Sequence, residues 1–98
     1  MNLTVPDISH AVYPVMSKYH VRRARLFGSF SRNEQHAKSD VDILVSFAKP
    51  IDGWSFSGMV RELEDVLGRP VDLVTENALS EHIKPHILDT LIPLYGER

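Results

Sequence analysis

From Asp40 to Phe47 apolar and polar positions alternate: Val41, Ile43, Val45 and Phe47 on one parity, Asp40 and Asp42 on the other. Successive side chains of an extended chain point to opposite faces, so this spacing predicts a strand over 40–47 with one buried face. On either side the period changes. Ile8, Ala11, Val12, Val15, Met16 and Tyr19 recur at helical spacing and predict an amphipathic helix over 5–20. Thr4 and Asp7 form a capping-box pattern at its start. Pro14 is expected to kink or split it, since proline lacks the amide hydrogen that a helix interior uses. Residues 21–27 read as a first strand ending at Gly28, residues 29–34 as a short helix, and Asn33 to Ser39 as a polar loop.

Beyond Phe47, Lys49-Pro50 and Asp52-Gly53 mark a turn. Phe56, Met59, Val60, Leu63, Val66 and Leu67 then form a helical stripe, expected to be core, and Gly68 ends it. Pro70 to Val74 reads as a third short strand. Residues 79–95 return to helical spacing through Leu79, Ile83, Ile87, Leu91 and Leu94, with Pro85 and Pro93 limiting its continuity. Strands alternating with helices predict an α/β fold, a small sheet flanked by helices. The 98 residues are expected to make a single domain over 1–98, with no repeat or linker.

Composition narrows the setting. There are no cysteines, so disulfides and thiolate metal sites are excluded. No stretch is apolar for long enough to span a membrane and no signal-peptide pattern opens the chain, so the expected setting is the cytoplasm. A net charge of −2 does not favour direct nucleic-acid binding. Yet Lys18, Arg22, Arg23, Arg25 and Arg32 fall in a stretch without an acid that runs into Gly28-Ser29. A polyphosphate would find favourable potential there; the plainer reading is an exposed strand kept soluble.

The chemistry converges on three acids. Asp40 and Asp42 share one face of the second strand, and Asp72 comes from a strand expected to neighbour it. Two unit charges ~4 Å apart repel by roughly 4 kcal/mol at an effective dielectric of ~20. A fold keeps such a pair most readily around a divalent cation, although a solvated polar face is the competing reading. Oxygen-only ligands suit Mg²⁺ or Mn²⁺. Gly28 would let a phosphate approach closely, and Ser29 follows it at the start of a helix, where free N–H groups favour anions. Together these features suggest a two-metal phosphoryl or nucleotidyl transfer site, with Asp72 on the nucleophile's side and placed to accept its proton.

Three separated segments then match a known pattern in order and spacing. They are Phe27-Gly28-Ser29-Phe30-Ser31-Arg32, the Asp40-Val41-Asp42 triplet, and Leu67-Gly68-Arg69-Pro70-Val71-Asp72-Leu73-Val74. They resemble the minimal nucleotidyltransferases of the DNA polymerase β-like superfamily. The resemblance implies a mixed sheet with helices packed on it, ATP as substrate, and Mg²⁺, two ions in all, on Asp40, Asp42 and Asp72. Gly28 and Ser29 would hold the triphosphate, and Arg32 is either a further phosphate contact or the partner of Glu34. Small members of this family often act as antitoxins, transferring AMP to a tyrosine of an all-helical HEPN ribonuclease toxin, so the resemblance also implies a hetero-oligomer with such a toxin. The chain ends soon after the third acid, which suggests that the acceptor pocket is completed by that partner.

Two other functions compete: an antitoxin that blocks its toxin by binding alone, and a nucleotidyltransferase acting on RNA ends. Four intact polar positions, Ser29, Asp40, Asp42 and Asp72, favour catalysis over the first. The acidic balance counts against the second. His82 and His86 have metal-ligand spacing but no third ligand, and His10, His20 and His36 read as solvated. Phe56 reads as core, Tyr95 as packed on the sheet, and Trp54 is open between core and a partner contact.

Overall fold

The computed structural model describes residues 4–27, 40–76 and 91–96. The chain opens with helix α1 (Val5–Lys18), capped by Thr4 as the sequence predicts. The Thr4 hydroxyl accepts from the Asp7 amide at 3.2 Å, and the Asp7 carboxylate accepts from the Thr4 amide at 3.1 Å. Pro14 does not split the helix, which runs unbroken to Lys18. The proline sits on the exposed side, where water can satisfy the carbonyl that loses its partner. Strand β1 (Val21–Phe27) follows, then β2 (Val41–Phe47). Helix α2 (Gly53–Leu67) starts at an Asp52 cap and stops at Gly68, whose φ of 66° is the left-handed conformation that ends helices. Strand β3 is Val71–Thr75 and strand β4 is Ile92–Gly96.

The four strands form one mixed sheet in the order β3-β2-β1-β4. β1 is antiparallel to both β2 and β4, whereas β2 and β3 are parallel and joined through α2. β4 corrects one expectation. Residues 92–95 belong to a strand, not to the end of a helix over 79–95; residues 79–90 lie outside the described residues, as do the expected short helix over 29–34 and the loop from Asn33 to Ser39. Pro93 is compatible with β4 because this is an edge strand, where a missing amide hydrogen costs no ladder bond.

Both helices pack on one face of the sheet. Ile8, Val12, Val15 and Met16 of α1 and Met59, Leu63 and Leu67 of α2 meet Ala24, Leu26, Val41, Ile43, Val45, Leu73 and Leu94 in a single core. Phe56 and Val60 pack against it, but Val66 is 46% exposed and does not belong to the core stripe. Ser9 anchors α1 to the edge of the sheet through a 2.7 Å bond to the Leu94 carbonyl, and Tyr13 meets Tyr95 edge to face. Trp54, left open by the sequence, is exposed. No described helix covers the opposite face of the sheet.

Candidate active site

That opposite face carries the acids. Its residues fall into rows across the strands, set by register. The first row is Phe27 of β1, Asp42 of β2 and Asp72 of β3, each paired with the next. The second is Arg25, Leu44 and Val74. The third begins with Arg23 and Ser46 and ends at Glu76, immediately after β3.

Parallel pairing sets Asp42 beside Asp72. Neighbouring strands lie ~4.8 Å apart, so the two carboxylates project together from adjacent backbones. The sequence expects Asp72 to neighbour the second strand, and the β2–β3 ladder fulfils this. Asp40 lies two residues ahead of Asp42 at the mouth of β2, where the Val41 amide donates to the Pro70 carbonyl at 2.9 Å. Asp40 and Asp72 are exposed and Asp42 is half-buried. Gly28, Ser29 and Arg32 lie outside the described residues; Phe27, which precedes Gly28, is paired with Asp42.

The donor set suits a hard divalent ion, since every candidate ligand is a carboxylate oxygen. Among the described residues, which include Asp40, Asp42 and Asp72, no group of three acids or histidines is placed to hold a metal ion, so the structure does not bring the expected three aspartates together as one ligand set. Mg²⁺ needs no such group, because it binds through one or two carboxylates and completes its shell with water and substrate phosphates.

The far end of the same face holds an ion cluster that the sequence reading passed over. Glu76 accepts from Arg23 Nη2 at 2.7 Å and from Arg25 Nη2 at 2.6 Å. Arg23 also donates through Nε at 3.3 Å, a forked grip. Burial pushes the Glu76 carboxyl up, but the bond from Arg23, the charges of both arginines and the Ser46 hydroxyl outweigh it and hold its pKa below the ordinary 4.5. Glu76 had a signal in the sequence: it continues the period-2 face of Asp72 and Val74.

The site can now be set beside known proteins. A family profile described as "Nucleotidyltransferase domain" matches residues 14–93. The chain belongs to the nucleotidyltransferase family. It is 40% identical over 93 residues to a Methanocaldococcus jannaschii protein provisionally named a protein adenylyltransferase, a match spanning 92% of this chain and 97% of that one. Among solved structures, one provisionally described as a minimal nucleotidyltransferase superposes with a TM-score of 0.80 at 29% identity, covering 95% of this chain and 98% of the other. A toxin–antitoxin structure with AMP-PNP superposes with a TM-score of 0.79 at 25% identity, covering 92% of this chain and 74% of the other. The fold expected from the sequence, a small mixed sheet flanked by helices in the nucleotidyltransferase (polymerase β-like) manner, is the fold of this family member, with the helices on one face of the described sheet.

Proposed function

We propose that this nucleotidyltransferase is an antitoxin that moves AMP from ATP to a tyrosine hydroxyl of a partner HEPN ribonuclease toxin. The observation that carries the reading is the Asp42–Asp72 pair, set in register on adjacent parallel strands of a face that no described helix covers. The likeness to an adenylyltransferase relative and to a toxin–antitoxin structure holding AMP-PNP supports the choice of nucleotide and partner.

In this reading Asp40, Asp42 and Asp72 hold Mg²⁺, and Gly28, Ser29 and Arg32 hold the triphosphate. Bound Mg²⁺ would neutralise charge on the phosphates and make the acceptor hydroxyl easier to ionise. The acceptor oxygen forms a bond to the α-phosphorus, the bond from that phosphorus to the β-phosphate oxygen breaks, and pyrophosphate leaves. Asp72, on the outer strand and exposed, takes the proton from the hydroxyl. Asp42, flanked by Phe27 and Asp72, fixes the nucleotide end of the line.

The test mixes the chain with a HEPN partner, Mg²⁺ and ATP labelled at either the α or the γ phosphate. Label reaching the partner from the α position alone is the expected result. Label from the γ position alone would make the protein a kinase. A complex that forms with no label from either would make it an antitoxin that acts by binding.

A further inference from the structure

Asp42 and Asp72 each follow a paired valine: Val41 and Val71 stand opposite one another where β2 and β3 begin. The Val41 amide donates to the Pro70 carbonyl at 2.9 Å, which ties the mouth of β2 to the residue before β3. The amide of Val71 belongs to the same peptide unit as that carbonyl. A trans peptide points its C=O and N–H in opposite directions, so with the Pro70 carbonyl turned to β2 the Val71 amide is turned away from it. On that side the acceptor is a side chain: Glu64 Oε2 takes the Val71 amide at 3.0 Å. Glu64 lies in the last turn of α2, and its own carbonyl takes the Gly68 amide at 2.8 Å. One residue thus closes both ends of the turn that joins the helix to the strand. Val71 is 9% exposed, so without the carboxylate its amide has little water to turn to. A buried donor left unmade is costly, and a strand end can relieve that cost by shifting. Asp72, the next residue, would shift with it.

We propose that Glu64 is a positioning residue for Asp72: its carboxylate fixes the first amide of β3 and so holds the second residue of that strand level with Asp42. The inference rests on the metal-binding reading of those acids. Register decides which face Asp72 takes; the Glu64 bond decides how firmly the end of the strand stays in place. The β2–β3 ladder ends at the Val41–Val71 pair, and Asp72 stands one residue in from that end. Groups that bind or react must be held within ~0.5 Å of their productive geometry, so a small movement of the strand end is enough to matter.

The experiment measures binding of Mn²⁺ by electron paramagnetic resonance, with AMP-PNP present and without turnover. Glu64→Ala is expected to weaken Mn²⁺ affinity about tenfold or more, the range in which residues that support metal ligands act. Glu64→Gln keeps a carbonyl oxygen that can accept from the Val71 amide, and should bind nearly as the wild type. Glu64→Asp keeps the charge but is one methylene too short, and should behave like the alanine variant. A Glu64 that served stability alone would lower the melting temperature in Glu64→Ala and leave the affinity of the folded protein unchanged, which overturns the proposal. Weakened affinity in Glu64→Gln overturns it as well, because the charge and not the bond would then be the source. If Glu64→Ala does not fold, as judged by circular dichroism, Glu64→Asp decides: weakened affinity supports the proposal and wild-type affinity overturns it. A wild type that takes up no Mn²⁺ overturns the metal reading itself, and is thereby told apart from a failure of Glu64.

Discussion

Single side chains on the open face separate chemistry from stability. Asp42 is half-buried on the face away from the core, so Asp42→Asn keeps shape and packing while removing a charge. Residues that merely support metal ligands cost ~10–100-fold when altered, so loss of a ligand should cut AMP transfer by at least about a hundredfold. The melting temperature without ligand should stay close to that of the wild type; transfer that survives would remove Asp42 from the site. Glu76 has the opposite profile. Its carboxyl is held below 4.5 in the folded chain, chiefly by Arg23 once burial is overcome. A depressed acid stabilises the fold fully above its unfolded pKa and loses that contribution as pH falls through the folded value. Urea unfolding should therefore find Glu76→Gln less stable than the wild type at neutral pH, with the gap closing below pH 4.5. A gap that persists in acid would mean that the ion cluster is not its source. That Asp42 and Asp72 would come from neighbouring strands was legible in the sequence because each lies on a short alternating strand. The role of Glu76 was not, because its arginine partners stand 53 and 51 residues away and only the sheet brings them together.

At the level of elements, legibility followed the strength of the local signal. Helix α2 and strand β2 carry clean periods and appear within a few residues of the expected bounds. β4 was misread because Leu91 and Leu94 satisfy helical spacing, while Pro93 argues against a strand unless its edge position is already known. The stripe on α2 overreached at Val66, since spacing alone does not fix how wide the buried arc is. The end of β4 offers a test of the sheet edge. Gly96 has a φ of 78°, and a Cβ added there would lie 2.1 Å from the Arg22 carbonyl oxygen. Left-handed backbone costs an ordinary residue ~1–2 kcal/mol before any clash. Gly96→Ala should thus lower the unfolding free energy by about 2 kcal/mol or more, read from a urea titration. A neutral result would show that the last residue of β4 moves aside freely. The loss should leave transfer intact in the folded fraction, because β4 lies at the opposite edge of the sheet from β3.

Among the described residues the sheet carries both helices on one face and Arg23, Arg25, Asp42, Asp72 and Glu76 on the other, a division that assigns the two faces different work. The helical face holds the chain together; the open face can change charge without disturbing the core. Binding of nucleotide and metal should then report on the fold directly, with no partner present. A ligand at a hundredfold excess over its Kd stabilises the native state by ~2.7 kcal/mol. For a domain of this size each kcal/mol moves the midpoint by roughly 4–8 °C, so Mg²⁺ with AMP-PNP should raise the melting temperature by about 10 °C or more. Asp42→Asn should lose most of that rise. An unchanged melting curve for the wild type at saturating ligand would count against a nucleotide site on this face. The same division predicts what becomes of the partner. If the acids face nucleotide and the toxin docks by other surfaces, Asp42→Asn will still co-elute with the toxin in size-exclusion chromatography while transferring nothing. If removing that one charge also dissolves the complex, the acidic row is part of the docking surface, and binding and chemistry share a face.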